Sequence, residues 1–580
     1  MIRLTELKLP LEHSAAELEA LVLQRLALPA GSTLRMQVFK RSVDARKAEL
    51  LVVYIVDVAL PSVELEQAVL QRLAGAPQVS ATPDMDYAPP CRAPAHWSAL
   101  AADRPVVVGF GPCGIFAALM LAQMGLRPIV LERGSSVRQR TKDTWDLWRK
   151  GILHPESNVQ FGEGGAGTFS DGKLWSQIKD PRHLGRKVMQ EFVRAGAPEN
   201  ILVDAHPHIG TFKLVKVVEN LRAQITALGG EIRFEQRVTD LMLDHNPGAA
   251  EGRVRRVCAL AVHDLGTGTR YELPAQRVVM ALGHSARDSF VMLHARGVRM
   301  VAKPFSIGFR IEHPQGLIDR ARWGRHAGNK ALGAAEYKLV HHASNGRSVY
   351  SFCMCPGGTV VAATSEVGRV VTNGMSQYSR NERNANAGIV VGVDPGDYPS
   401  DPAALRAGLG DEAAMAFAGP HPLAGIVLQR ELESRAFMLG GASYAAPGQL
   451  VGDFLADRVS TAWGRVQPSY RPGVQLGSLA DALPGYATIA IREALPAFGR
   501  KIVGFDMADA VLTGVETRTS SPLRISRGED FQSINVRGLY PAGEGASYAG
   551  GILSAGVDGI RVAEALAQDA LAASSLAMLA

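Results

Sequence analysis

At 580 residues, 47% hydrophobic and 20% charged, the chain has globular rather than disordered or fibrous proportions, and it is long enough for about two to four domains. A formal net charge of +6, spread along the sequence, admits anionic small molecules as ligands and does not demand nucleic acid. Five cysteines, an odd number, make no disulfide framework, and the opening MIRLTELKLPLEH has no signal-peptide apolar core, so a cytoplasmic setting is expected.

Residues 1–90 are expected to form a small separate α+β domain. Ile2 to Leu9, Met36 to Arg41 and Leu50 to Val58 are strand-like. Leu18, Leu21, Val22 and Leu26 have helical spacing within Ala15 to Leu28, and Val63 to Leu73 is helical again. With a last strand near Val79, this order resembles a ferredoxin-like sandwich. Pro89, Pro90, Pro94 and Pro105 mark a linker over 91–104.

The stretch PVVVGFGPCGIFAALMLAQMGLRPIVLERG, from Pro105 to Gly134, is the most informative in the chain. Val106 to Val108 suit a buried parallel strand. Gly109, Gly111 and Gly114 follow as G-x-G-x-x-G, with Pro112 opening a helix that runs to about Gln123. Gly109 would allow the tight turn, Gly111 the approach of a pyrophosphate, and Gly114 close packing of helix on sheet. The helix N-terminus offers free N–H groups to the phosphates. Arg127 to Leu131 reads as the second strand. Glu132, 18 residues after Gly114, sits where an acid accepts from ribose hydroxyls, with Arg133 beside it. The uncharged run Val106 to Leu126 is long enough to span a bilayer, but its glycines and Pro112 would break such a helix early, so no membrane span is expected.

Asn158 to Lys173 holds a second G-x-G-x-x-G, at Gly162, Gly164 and Gly167. No strand–helix unit and no acid closing a second strand accompany it, so it is expected to be a glycine loop folded against the cofactor. A helix is expected from about Leu214 to Ala227. Strands are expected over Gly230 to Asp244, Arg253 to Asp264 and Arg277 to Gly283. Residues 301–505 are mixed and would form an inserted α+β substrate domain. In the C-terminal run GLYPAGEGASYAGGILSAGVDGIRVAEAL, Glu544 at a strand end can accept a ligand hydroxyl. Ile552, Leu553, Val557 and Ile560 mark a helix starting just after Gly551. Its N-terminus would offer free N–H groups and a partial positive charge to a ligand held there.

The opening motif with LERG resembles the FAD-binding start of the glutathione-reductase-like flavoproteins. RVVMALG, ending at Gly283, is similar to their strand-then-glycine element near the cofactor, and the run through Gly543, Glu544 and Gly551 to their C-terminal FAD motif. KRSVDARK, GGAGTFSDGKL and SFCMCPGG extend the resemblance over nearly the whole chain, to bacterial proteins labelled FAD-dependent dehydrogenases. The resemblance implies FAD as cofactor and a broad redox class without a substrate. No second fingerprinted unit is evident between Arg149 and Phe505, which leaves NAD(P)H a candidate only as a transient donor across the flavin face.

Candidate catalytic groups are Cys353, Cys355, Lys173 and His284. The two cysteines are either a redox or nucleophilic pair or two small residues on one side of a strand with Met354 opposite; the tight C-x-C ring discourages a stable bridge. Lys173 could face an anion or lie on the surface. His284, Ser285, Arg287 and Asp288 could bind phosphate or substrate, or form a helix start with Ser285 as cap. No spacing singles out one of His206, His208, His341 and His342, and no metal-ligand spacing is present.

The expected architecture is α/β: a single Rossmann-type FAD-binding domain (105–300 and 506–580) with the inserted α+β substrate domain at 301–505, preceded by the ferredoxin-like domain. The expected activity is that of an FAD-dependent oxidoreductase transferring a hydride between FAD and a small-molecule substrate. The alternatives are an RNA-associated flavoprotein, weakened by the lack of an aromatic RNP pattern in the N-terminal domain, and a flavin-bound sensor without turnover. No stable nucleic-acid partner is expected, and the sequence sets no oligomeric state.

Overall fold

The computed structural model of the chain describes residues 1–46, 49–94, 97, 104–245, 255–411 and 419–579. Most of the expected linker, residues 95–96 and 98–103, lies outside the described residues, as does Lys47 of KRSVDARK.

Strands Ile2–Pro10, Arg35–Asp44, Leu51–Ala59 and Val79–Ala81 form one antiparallel sheet, in the order second, third, first, fourth. Alternate residues of the third strand, Val52, Tyr54, Val56 and Val58, are buried, the period-2 pattern of a half-covered sheet. They pack in one core with Leu18, Val22 and Val69 of helices Ala15–Arg25 and Val63–Arg72. Ser14 and Glu17 close a capping box on the first helix, worth about 1 kcal/mol. The free edge of this sheet is docked on the rest of the chain. Arg41 N–H donates to the Val203 carbonyl at 2.8 Å, and its own carbonyl accepts from Ala205 N–H at 2.9 Å.

The second sheet has five parallel strands, in the order Leu539–Pro541, Val278–Met280, Val106–Val108, Ile129–Leu131 and Glu231–Arg233. Val106, Val107 and Val108 are all buried, as both faces are covered. Helix Pro112–Gln123 and the long C-terminal helix beginning at Ile552 pack together on one face. The run Val106 to Leu126 is thus strand, turn and a 12-residue helix. Among the described residues no helix is long and apolar enough to cross a membrane.

The third large sheet is mostly antiparallel. Phe305–Pro314 lies at its centre between Asn384–Val393 and Val511–Glu516, with Ser348–Ala362 beyond. Its chain enters and leaves through an antiparallel pair, Met300–Ala302 with Leu523–Ile525. The return to the parallel sheet therefore comes later than the expected border at 505/506. Val511–Glu516 belongs to the inserted sheet because its backbone pairs with Phe305–Pro314, a partnership that local composition does not reveal.

Candidate functional site

The first glycine turn and the second glycine loop meet at one carboxylate. Glu132, buried at the end of the Ile129–Leu131 strand, accepts from three backbone N–H groups. Phe110 N–H reaches one oxygen at 2.8 Å; Gly134 and Gly162 N–H reach the other at 2.9 and 3.0 Å. A carboxylate has about four acceptor sites, so one remains. The glycines are where the geometry needs them. A Cβ on Gly114 would lie 1.9 Å from the Gly109 carbonyl oxygen, and one on Gly165 would lie 2.8 Å from Gly111 Cα. The loop of Gly162, Gly164 and Gly167 thus folds directly onto the first turn, and Gly164 N–H donates to the Phe110 carbonyl at 2.8 Å. Gly111 caps helix Pro112–Gln123 with no side-chain hydrogen bond, leaving the first N–H groups for an anion.

These elements line a cavity of about 1510 Å³ that runs on past Gly283, Glu544 and Gly551 to Cys353 and Lys173, and out to Arg41 and Tyr54 of the N-terminal sheet. Single-ligand pockets run to roughly 1000 Å³, so this one has room for a dinucleotide and a second molecule. Glu544 follows the Leu539–Pro541 strand. No described residue hydrogen-bonds its carboxylate, and burial pushes its pKa up to about 7, Lys303 opposing and Cys353 adding. Gly543 N–H is held by Asp558 at 2.8 Å, which fixes the strand end. Gly550, Gly551 and Ile552 bring the N-terminus of the C-terminal helix to the same wall.

Opposite, Ser348–Ala362 bulges out of register between Phe352 and Cys355. Cys353 takes φ of +43° there and faces the cavity with Met354. The expected alternation of Cys353 and Cys355 against Met354 on an unbroken strand does not hold, because the bulge interrupts the pleat. Cys355 is buried, and its Sγ lies 3.4 Å from the Cys353 carbonyl oxygen. Arg310 Nη1 donates to that oxygen at 2.9 Å, and Lys173 Nζ donates to the Met354 carbonyl. Lys173 is therefore a half-buried wall residue rather than a surface lysine. A hydrogen bond from Cys355 holds the Cys353 thiol well below its ordinary pKa, against its burial; Arg310 and Lys173 add to this. Cys355 is pushed up by the same bond. Arg310 is paired with Glu516 at 2.6 Å, and burial takes Glu516 up to about 7 against that pairing.

Other expected residues have different employments. Arg133 is tied to Glu156 at 2.7 Å and to both oxygens of Asp288 at 2.8 and 3.0 Å, so it stands at the cavity with its charge compensated. Ser285 is not a helix cap: helix Arg287–Ala295 is capped by Ala286 without a side-chain bond, and Ser285 instead donates to Gln160 and accepts from Arg518, each at 3.0 Å. Arg287 is buried against Glu433 and Glu366 at 2.7 and 2.6 Å, out of reach of a phosphate. His284 contacts the Arg518 carbonyl through Nε2 at 2.8 Å, and burial lowers its pKa to about 4, so it is neutral at pH 7. His206 and His208 line the cavity. His341 pairs with Glu493 at 2.9 Å, and His342 with Ser348 Oγ at 3.1 Å. No metal-binding group occurs among the described residues.

Arg140 escaped the sequence reading. It is fully buried, and its guanidinium donates to the carbonyls of Asn158, Val159 and Glu163, each at 2.7 Å, and to Gly162 at 3.3 Å. It thereby pins the second glycine loop. Its one sequence signal was a charged residue on the otherwise covered face of Val137–Lys150.

Residues 304–519 match the family model described as "FAD-dependent protein, C-terminal domain-like", and residues 1–59 match a domain of unknown function. A protein of Clostridium beijerinckii is 43% identical over 97% of this chain and 98% of its own length; its description is "Uncharacterized protein". Among solved structures, glycine oxidase from Geobacillus kaustophilus is 11% identical over 80% of this chain and 94% of its own, with a TM-score of 0.33. The FAD-complexed glycerol-3-phosphate dehydrogenase from Bacillus halodurans is 12% identical over 80% of this chain and 64% of its own, with a TM-score of 0.31. The cofactor is FAD. The site fits it: an uncapped helix N-terminus for the pyrophosphate, one free acceptor site on Glu132, and the unpartnered carboxylate of Glu544 face one cavity.

Proposed function

Because the chain belongs to the same family as the Clostridium beijerinckii protein and carries the C-terminal domain of FAD-dependent proteins, we propose that it is an FAD-dependent oxidoreductase acting on a small organic molecule. When bound, FAD supplies two-electron redox chemistry. The chain's own residues bind, orient and shield. The N–H groups of Cys113 and Gly114 receive the pyrophosphate. Glu132 ties three loops together and keeps one acceptor site for a ribose hydroxyl. Glu544 takes a ribityl hydroxyl, which gives its half-buried carboxyl the partner that the protein withholds. The N-terminus of the Ile552 helix sets a partial positive charge at the pyrimidine edge and favours the anionic reduced state. His284, neutral at pH 7, can hold a hydrogen bond there but carries no proton to give as an imidazolium.

The observation that carries this reading is the convergence on one cavity of Glu132, Glu544 and two helix N-termini, brought from both ends of the chain. We read the chain as a ferredoxin-like unit over 1–90, an FAD-binding unit and an inserted substrate unit whose far end lies near residue 522. The five unpaired cysteines accord with a reducing, cytoplasmic compartment. The purified protein should carry one flavin per chain. Titrated without oxygen with NADPH and then NADH, rapid bleaching identifies a nicotinamide-driven reductase. A flavin that stays oxidised makes the organic substrate the donor. Protein that takes up no flavin on reconstitution refutes the reading.

A further inference from the structure

Two thiols, a lysine and an arginine meet where the inserted sheet faces the cofactor side of the cavity. In a regular strand, residues i and i+2 stand roughly 6.6 Å apart along the axis and are held there by the ladder, near the upper end of the Cα separations that a disulfide spans. Here the ladder is interrupted at that point. Phe352 pairs with Gly388 and Cys355 with Asn386, so Cys353 and Met354 together oppose the one residue between. The left-handed φ of Cys353 turns the chain at the bulge. Such a conformation is uncommon outside glycine and clusters at functional sites. The segment is clamped by Arg310 on the Cys353 carbonyl and Lys173 on the Met354 carbonyl. These contacts fix the backbone that carries the two thiols, and they bring Cys355 Sγ to 3.4 Å from the Cys353 carbonyl oxygen.

We propose that Cys353 and Cys355 are a reversible dithiol–disulfide pair that exchanges two electrons with the occupant of the cofactor cavity. The inference rests on the FAD reading above. As the S–S bond forms, the Cys353 thiolate and the Cys355 thiol lose two electrons and one proton. Oxidised FAD is the acceptor of both, and in the reverse direction the reduced cofactor returns them and the bond breaks. Cys353 is the partner that enters as thiolate, beside Lys173 and Arg310. Cys355, buried behind it, keeps its proton until the bond forms. The charged groups that face this cluster are Glu516, paired with Arg310, Asp171, 3.9 Å from Lys173 Nζ, Glu336, 2.9 Å from Arg380, Arg380 itself, and Glu544 across the cavity; Tyr337 stands on the Cys355 side. Cys113, at the start of the helix that meets the pyrophosphate, and Cys91 and Cys258 lack such a neighbouring thiol and serve as internal controls.

The test uses the flavin-loaded protein, equilibrated in mixtures of reduced and oxidised dithiothreitol, quenched with an alkylating agent in denaturant and read by peptide mass spectrometry. The expected result is a Cys353–Cys355 peptide two hydrogens lighter and protected from alkylation at oxidising poise, with the other three cysteines alkylated throughout. A second readout needs no bond formation. Cys355→Ser should leave a lone Cys353 thiol whose ionised form gives the bound flavin a long-wavelength absorption band that acidification removes and Cys353→Ser abolishes; two merely structural cysteines would give none. Flavin-loaded protein whose two cysteines stay reduced at every poise, with no such band, overturns the dithiol and leaves the FAD reading standing. A protein without flavin absorbance overturns the FAD reading, and the dithiol with it, before any thiol is measured.

Discussion

Gly114 shows how little room the first glycine turn allows. Its missing side chain is occupied by the Gly109 carbonyl, 1.9 Å from where a Cβ would stand. Gly114→Ala should therefore shift the turn, cost about 1–3 kcal/mol of stability and empty the flavin site, read as the ratio of visible to ultraviolet absorbance beside the melting temperature. Glu433 is the counterpart in the polar core. It is fully buried and bonded to Arg287 and Arg518, each at 2.7 Å. Burial alone would raise its carboxyl, but the two arginines hold it well below the usual range. Its stabilisation is fully present above the unfolded value of about 4.3 and is lost as the pH falls through the lower folded value. Glu433→Gln should cost about 3–5 kcal/mol at neutral pH by urea unfolding, and the loss should shrink under acid. The glycines were legible because their spacing encodes a backbone shape. Arg287, Arg140 and Ser285 were not, since a buried ion pair or a guanidinium capping a distant loop leaves no local period in the sequence.

Elements with a local signature were easy to read. Helix Pro112–Gln123 ends at the residue its pattern indicated, the strand ending in Leu131 leads to the acid, and the C-terminal helix begins at Ile552. The bulge at Cys353 was invisible because it is a register event between two strands. Glu544 at the end of Leu539–Pro541 gives this scale its own test. With its folded pKa raised to about 7 from an ordinary value of 4.5, the empty protein binds more protons than the unfolded chain between those values. Its stability should fall as pH rises across that window and level off above it. Glu544→Gln should flatten part of that fall in the flavin-free protein, seen as a smaller drop in melting temperature; an unchanged slope would assign the titration to Glu516 instead.

At the scale of the whole molecule, the β–α–β–β–α order of the first 90 residues and the strand–turn–helix–strand unit from Val106 to Leu131 could be read in advance. How the N-terminal sheet sits on the rest could not, because the backbone bridge at Arg41, its ion pair with Asp204 and the Arg186 guanidinium over Phe39 join residues far apart in the sequence. Arg41→Pro removes the N–H that reaches Val203 and should loosen that docking. The measurable outcome is faster amide exchange at residues 203–205 and easier proteolytic removal of the N-terminal unit, with the flavin retained.

The parallel sheet carries one more consequence. Its strands at 106–108 and 278–280 are neighbours, and the next in space, 539–541, is close to the last in sequence. A chain emerging from the ribosome can lay down the first glycine turn, its helix and Glu132 early. It lacks an edge strand, Glu544 and the helix from Ile552 until residues 539–579 have been made. Long-range pairing of this kind is slow to close, and domains form in the order of their synthesis. The sheet around Phe305–Pro314, by contrast, has every strand in hand by residue 516, so it can mature while the parallel sheet is still open. Cofactor loading is then a late event, and a truncation after residue 522 would leave the sheet around Phe305–Pro314 folded beside a parallel sheet without its edge strand, with the cavity unfilled.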